Sequence, residues 1–228
     1  MYIKEMLKRF SMENSKRGLV PFRHGIHLSK KMCSDTPEEI ECMSKISYAS
    51  IIESLMYVML CTRFDIVYAV SVTSRYQSNP GEEHWTSVKC ILKYLRRTKD
   101  IFLVFGNGEL QIQGYTDSDF MSDIDDRKLI FESLFICNGG TVSWKSFKQT
   151  VIADSTMEAE YIAASKAAKE AFWYKKIAAK LGVMSSDAIP LYCDNNGAIA
   201  LAKEPRSHQK SKHIERQFHL IRDYVKKG

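Results

Sequence analysis

The sequence predicts an α/β chain in two parts. Residues 1–100 form a mostly helical segment, and residues 101–228 form a mixed sheet with flanking helices. Three observations carry this expectation. Before residue 100, apolar residues recur at helical spacing, as at Ile51, Ile52, Leu55, Met56, Met59 and Leu60. After it, Leu110-Gln111-Ile112-Gln113 and Thr141-Val142-Ser143-Trp144 alternate apolar and polar, the period of a half-buried strand. A long alanine-rich stretch from Ser155 to Leu181 then separates these strands from a further short one. With 228 residues there is length for one or two cores.

Taken in order, Tyr2–Met12 has helical spacing through Ile3, Met6, Leu7 and Phe10. Residues 14–31 are polar and broken by Gly18, Pro21 and Gly25. Thr36-Pro37-Glu38-Glu39 predicts a helix start, because a threonine N-cap, proline at the first helical position and glutamate at the third satisfy orphan N–H groups. That helix is expected to reach about Ile46. A second runs over Tyr48–Cys61. Asp65 is expected to cap or open a third, through about Tyr76. Asn79-Pro80-Gly81 breaks the chain before a fourth, Glu82–Thr98, whose basic end (Lys93, Arg96, Arg97, Lys99) suits either the helix dipole or a phosphate-contacting edge.

Ile101–Phe105 reads as a short strand, with Asn107-Gly108 turning it into a hairpin with Leu110–Tyr115. Leu129–Cys137 and Thr141–Phe147 read as a second hairpin, turning at Asn138-Gly139-Gly140. Ser155-Thr156-Met157-Glu158 is a capping-box pattern, hydroxyl and carboxylate each satisfying an orphan N–H, that predicts the start of a long helix, and Gly182 predicts its end. Ile189–Cys193 is expected to be a strand, Asn195–Lys203 a short helix and Lys212–Lys227 a last helix.

Net charge is +6, a mild bias toward an acidic partner such as nucleic acid. The six cysteines (33, 42, 61, 90, 137, 193) never form Cys-x-x-Cys, which points to reduced thiols in a cytoplasmic or nuclear setting and away from secretion. The most apolar run, Leu55–Cys61, is too short to cross a bilayer, so no membrane association is expected. His24-x-x-His27 with Cys33 and Cys42 fits no tetrahedral zinc spacing. Asp119, Asp123, Asp125 and Asp126 are expected to be a solvated acidic loop, and Cys193 to point from its strand into the core, away from Asp194.

Asp117 follows a strand-like run, Glu160 lies early in the long helix and Asp194 ends the Leu191-Tyr192-Cys193 run. The three carboxylates are expected to meet at one end of the sheet. Carboxylates with no cationic partner in sequence suit Mg²⁺, which takes oxygen ligands and leaves positions for water and phosphate.

Several strings, in order, resemble the RNase H domain of copia-type LTR-retrotransposon Pol polyproteins: GYTDSDF, DDRK, NGGTVSWKS, STMEAEYIAASKAAKEAFW, LYCDNNGAIALAKEP and KHIERQFHLIRDYV. Residues 46–99, including Cys61-Thr62-Arg63 and Asp65-Ile66-Val67-Tyr68-Ala69-Val70, resemble the tail of the preceding reverse transcriptase. The resemblance implies cleavage of the RNA strand of an RNA–DNA hybrid with two Mg²⁺ or Mn²⁺ ions, Asp117, Glu160 and Asp194 being both metal ligands and catalytic. It implies contacts to nucleic acid from Ser118, Ser155, Thr156, Asn195 and Asn196, and the remainder of the Pol polyprotein as a partner.

There are also departures. The family's fourth carboxylate, last strand and last helix lie beyond Gly228, and no Tyr-x-Asp-Asp polymerase hairpin is present. Leu129–Phe135 differs from the family's strand start and sets Glu132 in a half-buried strand. The expectation is therefore a Pol fragment with an incomplete RNase H-like domain and weak or lost activity. The alternative is a non-catalytic nucleic-acid-binding or structural remnant, in which basic residues over Lys93–Lys99 and Lys203–Lys212 track phosphates.

Overall fold

The computed structural model describes residues 2–107, 110–119, 125–126, 128–149, 153–183, 188–203 and 220–227. The chain divides into two compact units, Met1–Leu103 with Ile124–Asp126, and Val104–Asp123 with Arg127–Gly228.

The first unit is helical: α1 (Tyr2–Arg9), α2 (Pro37–Ser44), α3 (Tyr48–Cys61), α4 (Val67–Thr73) and α5 (Glu82–Arg97). The Thr36 hydroxyl accepts the Glu39 N–H and the Glu39 carboxylate accepts the Thr36 N–H, so α2 starts where its capping pattern lies. Its core joins Ile52, Leu55, Val70, Ile91, Leu92 and Leu95, each with no exposed surface. Burial of each such side chain is worth roughly 1.5–3 kcal/mol. Leu60, expected on the buried face of α3, is 68% exposed.

Asp65 opens the helical run without capping it, lying in the 3-10 turn Phe64–Ile66 that leads into α4. The Arg63 side chain is almost wholly buried and donates to both Asp65 oxygens, at 2.9 and 2.7 Å, and to the Thr98 carbonyl at 3.1 Å. The Tyr94 hydroxyl donates to Asp65 Oδ2 at 2.7 Å. A buried guanidinium needs a carboxylate more than a helix end needs a cap, and this non-local pairing overrides the local signal. Asp125 also departs from expectation: its carboxylate accepts the Lys30 N–H at 2.9 Å and the Tyr76 hydroxyl at 3.1 Å.

The second unit holds a four-stranded mixed sheet among its described residues, ordered β3-β2-β1-β4. Its strands are β1 (Ile112–Asp119), β2 (Ile130–Cys137), β3 (Gly140–Lys148) and β4 (Leu191–Tyr192). The first three are antiparallel neighbours, and β4 runs parallel to β1. The β2–β3 turn puts Asn138 at φ 49° and Gly139 at φ 77°, the left-handed pair that a tight hairpin requires. α6 (Thr156–Leu181) lies against β1, followed by α7 (Asn196–Lys203) and α8 (Leu220–Lys227). Ala167 and Ala171 let α6 approach Phe135 closely. Gly182, at φ 65°, ends α6 as its position predicts.

Ile101–Phe105 forms no strand, and Ile101, Phe102, Val104 and Phe105 are all more than half exposed. Gly108 of the expected turn, Asp123, residues 204–212 of the basic stretch and residues 212–219 of the expected last helix lie outside the described residues. Among the described residues no helix is long and apolar enough to cross a membrane.

Candidate functional site

β1 alternates strictly. Gly114, Thr116 and Ser118 are buried, while Tyr115, Asp117 and Asp119 are exposed on the other face. The strand is longer than the sequence suggests, since Asp117 lies within it. β4 pairs in parallel with β1 through Gly114 opposite Leu191 and Tyr115 opposite Tyr192, and the two tyrosine rings stack at 5.0 Å. Asp117 and Asp194 each lie two residues beyond that tyrosine pair. Parallel strands run in step, so both carboxylates leave the sheet at the same end.

Glu160 reaches this end from α6. The Ser155 hydroxyl accepts the Glu158 N–H at 3.2 Å and fixes where the helix begins. Glu160 is 6% exposed, and its Oε1 accepts the backbone N–H of Ser118 at 3.0 Å. That N–H also lies 2.7 Å from Asp117 Oδ1. Burial, the Asp117 charge and hydrogen bonding with Asp117, and the Asp194 charge push the Glu160 carboxyl up to about 7 against the opposing Ser118 N–H. Asp117 and Asp194 thus both bear on Glu160, and among the described residues no ion pair reaches it.

Sequence reasoning missed two neighbours of this centre. Cys193 does not turn away from it. Its Sγ stands 3.8 Å from Glu160 Oε2, and burial raises the thiol. β4 stops at Tyr192, so the strand alternation that would send Cys193 to the far face no longer governs it. Glu132 stands directly opposite Asp117 across the β1–β2 ladder. It is half-buried, accepts the Ser146 hydroxyl at 2.9 Å, and is raised by burial and by the charges of Asp117 and Asp119.

The residues expected to contact nucleic acid divide. The Ser118 hydroxyl is buried and has no hydrogen-bond partner among the described residues, so its backbone N–H, not its side chain, serves the centre. Ser155 and Asn195 spend their side-chain oxygens as helix caps, Asn195 accepting the Ala198 N–H at 3.0 Å. Thr156 and Asn196 are exposed. His24, His27, Cys33 and Cys42 form no cluster. Among the described residues the only group with ligand atoms in mutual reach is Glu160, Cys193 and Asp194, all within 4.8 Å of one another.

Fold and site together define an α/β module with a carboxylate-rich centre at one end of a mixed sheet. Its relatives give that class a family. The chain is 46% identical over 224 residues to the "Retrovirus-related Pol polyprotein from transposon TNT 1-94" of Nicotiana tabacum, covering 98% of this chain and 17% of that polyprotein. It is 33% identical over 229 residues to the corresponding polyprotein from transposon RE2 of Arabidopsis thaliana, covering all of this chain and 15% of that one. The chain belongs to the copia-type retrotransposon Pol polyproteins, and spans about one sixth of the length of these relatives. It is also 40% identical over 132 residues to "Secreted RxLR effector protein 161" of Plasmopara viticola, covering 58% of this chain and 93% of that protein. No family model and no solved structure matches.

Proposed function

We propose that the second unit is an RNase H-like module of a Pol polyprotein. Its acidic centre would hold two divalent ions, Mg²⁺ or Mn²⁺, and hydrolyse the RNA strand of an RNA–DNA hybrid. The first unit is read as the end of a reverse transcriptase, and the rest of the polyprotein as its partner. The observation that carries the reading is Glu160: a buried carboxyl under the charges of Asp117 and Asp194, with no cation paired to it among the described residues. Such a group costs several kcal/mol to ionise unless a cation arrives. Asp117, Glu160 and Asp194 supply the oxygen donors that a hard ion takes, with Glu160 and Asp194 in mutual ligand reach and Asp117 hydrogen-bonded beside Glu160.

The ions, when bound, would supply a water deprotonated near neutral pH and charge to stabilise the leaving oxygen. The chain's own part is placement. Asp117 presents its carboxylate from β1 and Asp194 from two residues past the end of the parallel β4, while the Ser118 N–H holds Oε1 of Glu160 and leaves Oε2 toward Cys193. Thr156 and Asn196 offer exposed polar groups to a nucleic-acid backbone. Selection of RNA over DNA would come from contact with the ribose 2′-OH.

The test is cleavage of an end-labelled hybrid with Mg²⁺ or Mn²⁺ by the 228-residue chain and by Asp117→Asn. Cleavage lost in the variant supports the reading. Equal cleavage rates in the two proteins would remove it.

A further inference from the structure

We propose that Glu160, Cys193 and Asp194 form a mixed thiolate–carboxylate site for a thiophilic divalent cation of the Zn²⁺ or Cd²⁺ class, which competes with the hard ion for the same two carboxylates. This rests in part on the reading of the acidic centre as a cation site, and it adds that the centre has a soft face.

The geometry is the main support. One ligand atom from each of the three residues lies within 4.8 Å of the other two, close enough for a single ion to gather them. The side chain at the middle of the group is more than nine-tenths buried and aimed into it. Glu160 gives Oε1 to the Ser118 N–H, and Oε2 faces the Cys193 sulfur at 3.8 Å. Oε2 accepts from the Cys193 thiol, so a metal that takes the place of that proton would meet sulfur and carboxylate oxygen together. Cys193 is half-buried and forms no disulfide, and Asp194 is exposed, which leaves an open side for entry.

Softness decides which ion prefers which part of the centre. Asp117, Glu160 and Asp194 are hard oxygen donors that suit Mg²⁺ and Mn²⁺. Replacing one oxygen with sulfur favours Zn²⁺ or Cd²⁺, which binds as the thiol proton passes to solvent. The two occupancies share Glu160 and Asp194, so they exclude each other. The thiol then becomes a point at which a thiophilic metal shuts the hard-ion centre.

The experiment uses the full chain carrying Cys42→Ser and Cys61→Ser, which removes its two exposed thiols. Cd²⁺ is titrated against the ultraviolet thiolate-to-metal charge-transfer band, and bound Mn²⁺ is followed in parallel by electron paramagnetic resonance. The expected result is a one-to-one Cd²⁺ band whose growth displaces Mn²⁺. Cys193→Ser, checked for fold by circular dichroism, should lower the ratio of Cd²⁺ to Mn²⁺ affinity about tenfold or more. Glu160→Gln should weaken both ions. A band that survives Cys193→Ser, or Cd²⁺ binding that leaves Mn²⁺ in place, overturns the proposal. A Cys193-dependent Cd²⁺ band without any Mn²⁺ binding keeps the thiolate site, overturns the competition and removes the hard-ion reading on its own.

Discussion

Ser118 donates its backbone N–H to Oε1 of Glu160 at 3.0 Å, joining β1 to α6 across 42 residues of sequence. The bond pins a carboxyl beside Asp117, whose charge, with burial, holds it near 7. A carboxyl raised from 4.5 to about 7 by folding binds more protons in the native state than in the unfolded one. Its stabilising share is whole below 4.5 and disappears as pH rises through about 7. Glu160→Gln keeps an acceptor for Ser118 and removes the charge. In chelator at pH ~8 the variant should be more stable by about 1–3 kcal/mol, and the gap should close near the ordinary carboxylate range. Urea midpoints at both pH values would decide it. Coincident midpoints under alkaline conditions would mean that the site bears no charge stress.

Gly114 sits in β1 between Phe135 and Leu191. A Cβ there would lie 2.7 Å from Phe135 Cε1 and 2.9 Å from Leu191 Cδ1. Phe135 is fully buried against Ala167 and Ala171 of α6 and has no way out to solvent, whereas Leu191 is only half-buried. Gly114→Ala should cost about 1–3 kcal/mol by overpacking. It should also loosen the β1–β4 pairing that keeps Asp117 and Asp194 in step. Thermal unfolding gives the cost; a variant as stable as the parent would show that the strands can spread there.

What was legible in the sequence was what is local. The Thr36–Glu39 box, the Ser155 cap, the Gly182 stop and the Asn138-Gly139 hairpin are each complete within about four residues, and each forms where its residues stand. Partnerships across long connections were not legible. The β1–β2 register, which sets Glu132 opposite Asp117, follows residues 120–129, and no turn pattern there counts it out. Arg63 took Asp65 from its expected capping role because a buried charge outranks a cap. Ile101–Phe105 has strand composition, but composition alone does not provide a neighbouring ladder, and the run stays unpaired as a strand.

The Arg63–Asp65 pair predicts a stability loss in the first unit. Arg63 is 3% exposed on its side chain, and Asp65 accepts both from it and from Tyr94. Asp65→Ala leaves the guanidinium buried with no carboxylate and only the neutral groups of Thr98 and Tyr94 beside it, and should cost about 3–5 kcal/mol. Asp65→Asn keeps an acceptor and should cost less. Denaturant unfolding of both variants checks the order; equal losses would assign the effect to packing and not to charge.

His84 carries the last prediction. It has no exposed surface, its Nδ1 accepts the Gly81 N–H at 2.9 Å at the start of α5, and its ring stacks on Tyr76 at 4.0 Å. Accepting at Nδ1 requires the neutral ring, and burial lowers its pKa below the ordinary 6.5, against the Ser29 backbone and the charges of Glu83 and Asp125. A group that is harder to protonate when folded leaves the unfolded chain holding more protons. Its contribution is therefore whole above 6.5 and is lost as pH falls toward the folded value. Replacing Trp144 and Trp173 with Phe leaves Trp85, on α5, as the reporter of the first unit. Its unfolding midpoint should fall as pH drops below 6.5, with loss of a cap worth about 1 kcal/mol. His84→Gln should start less stable and lose that slope. Parallel slopes in the two proteins would show that another group titrates, and that the Gly81–His84 bond does not tie α5 to pH.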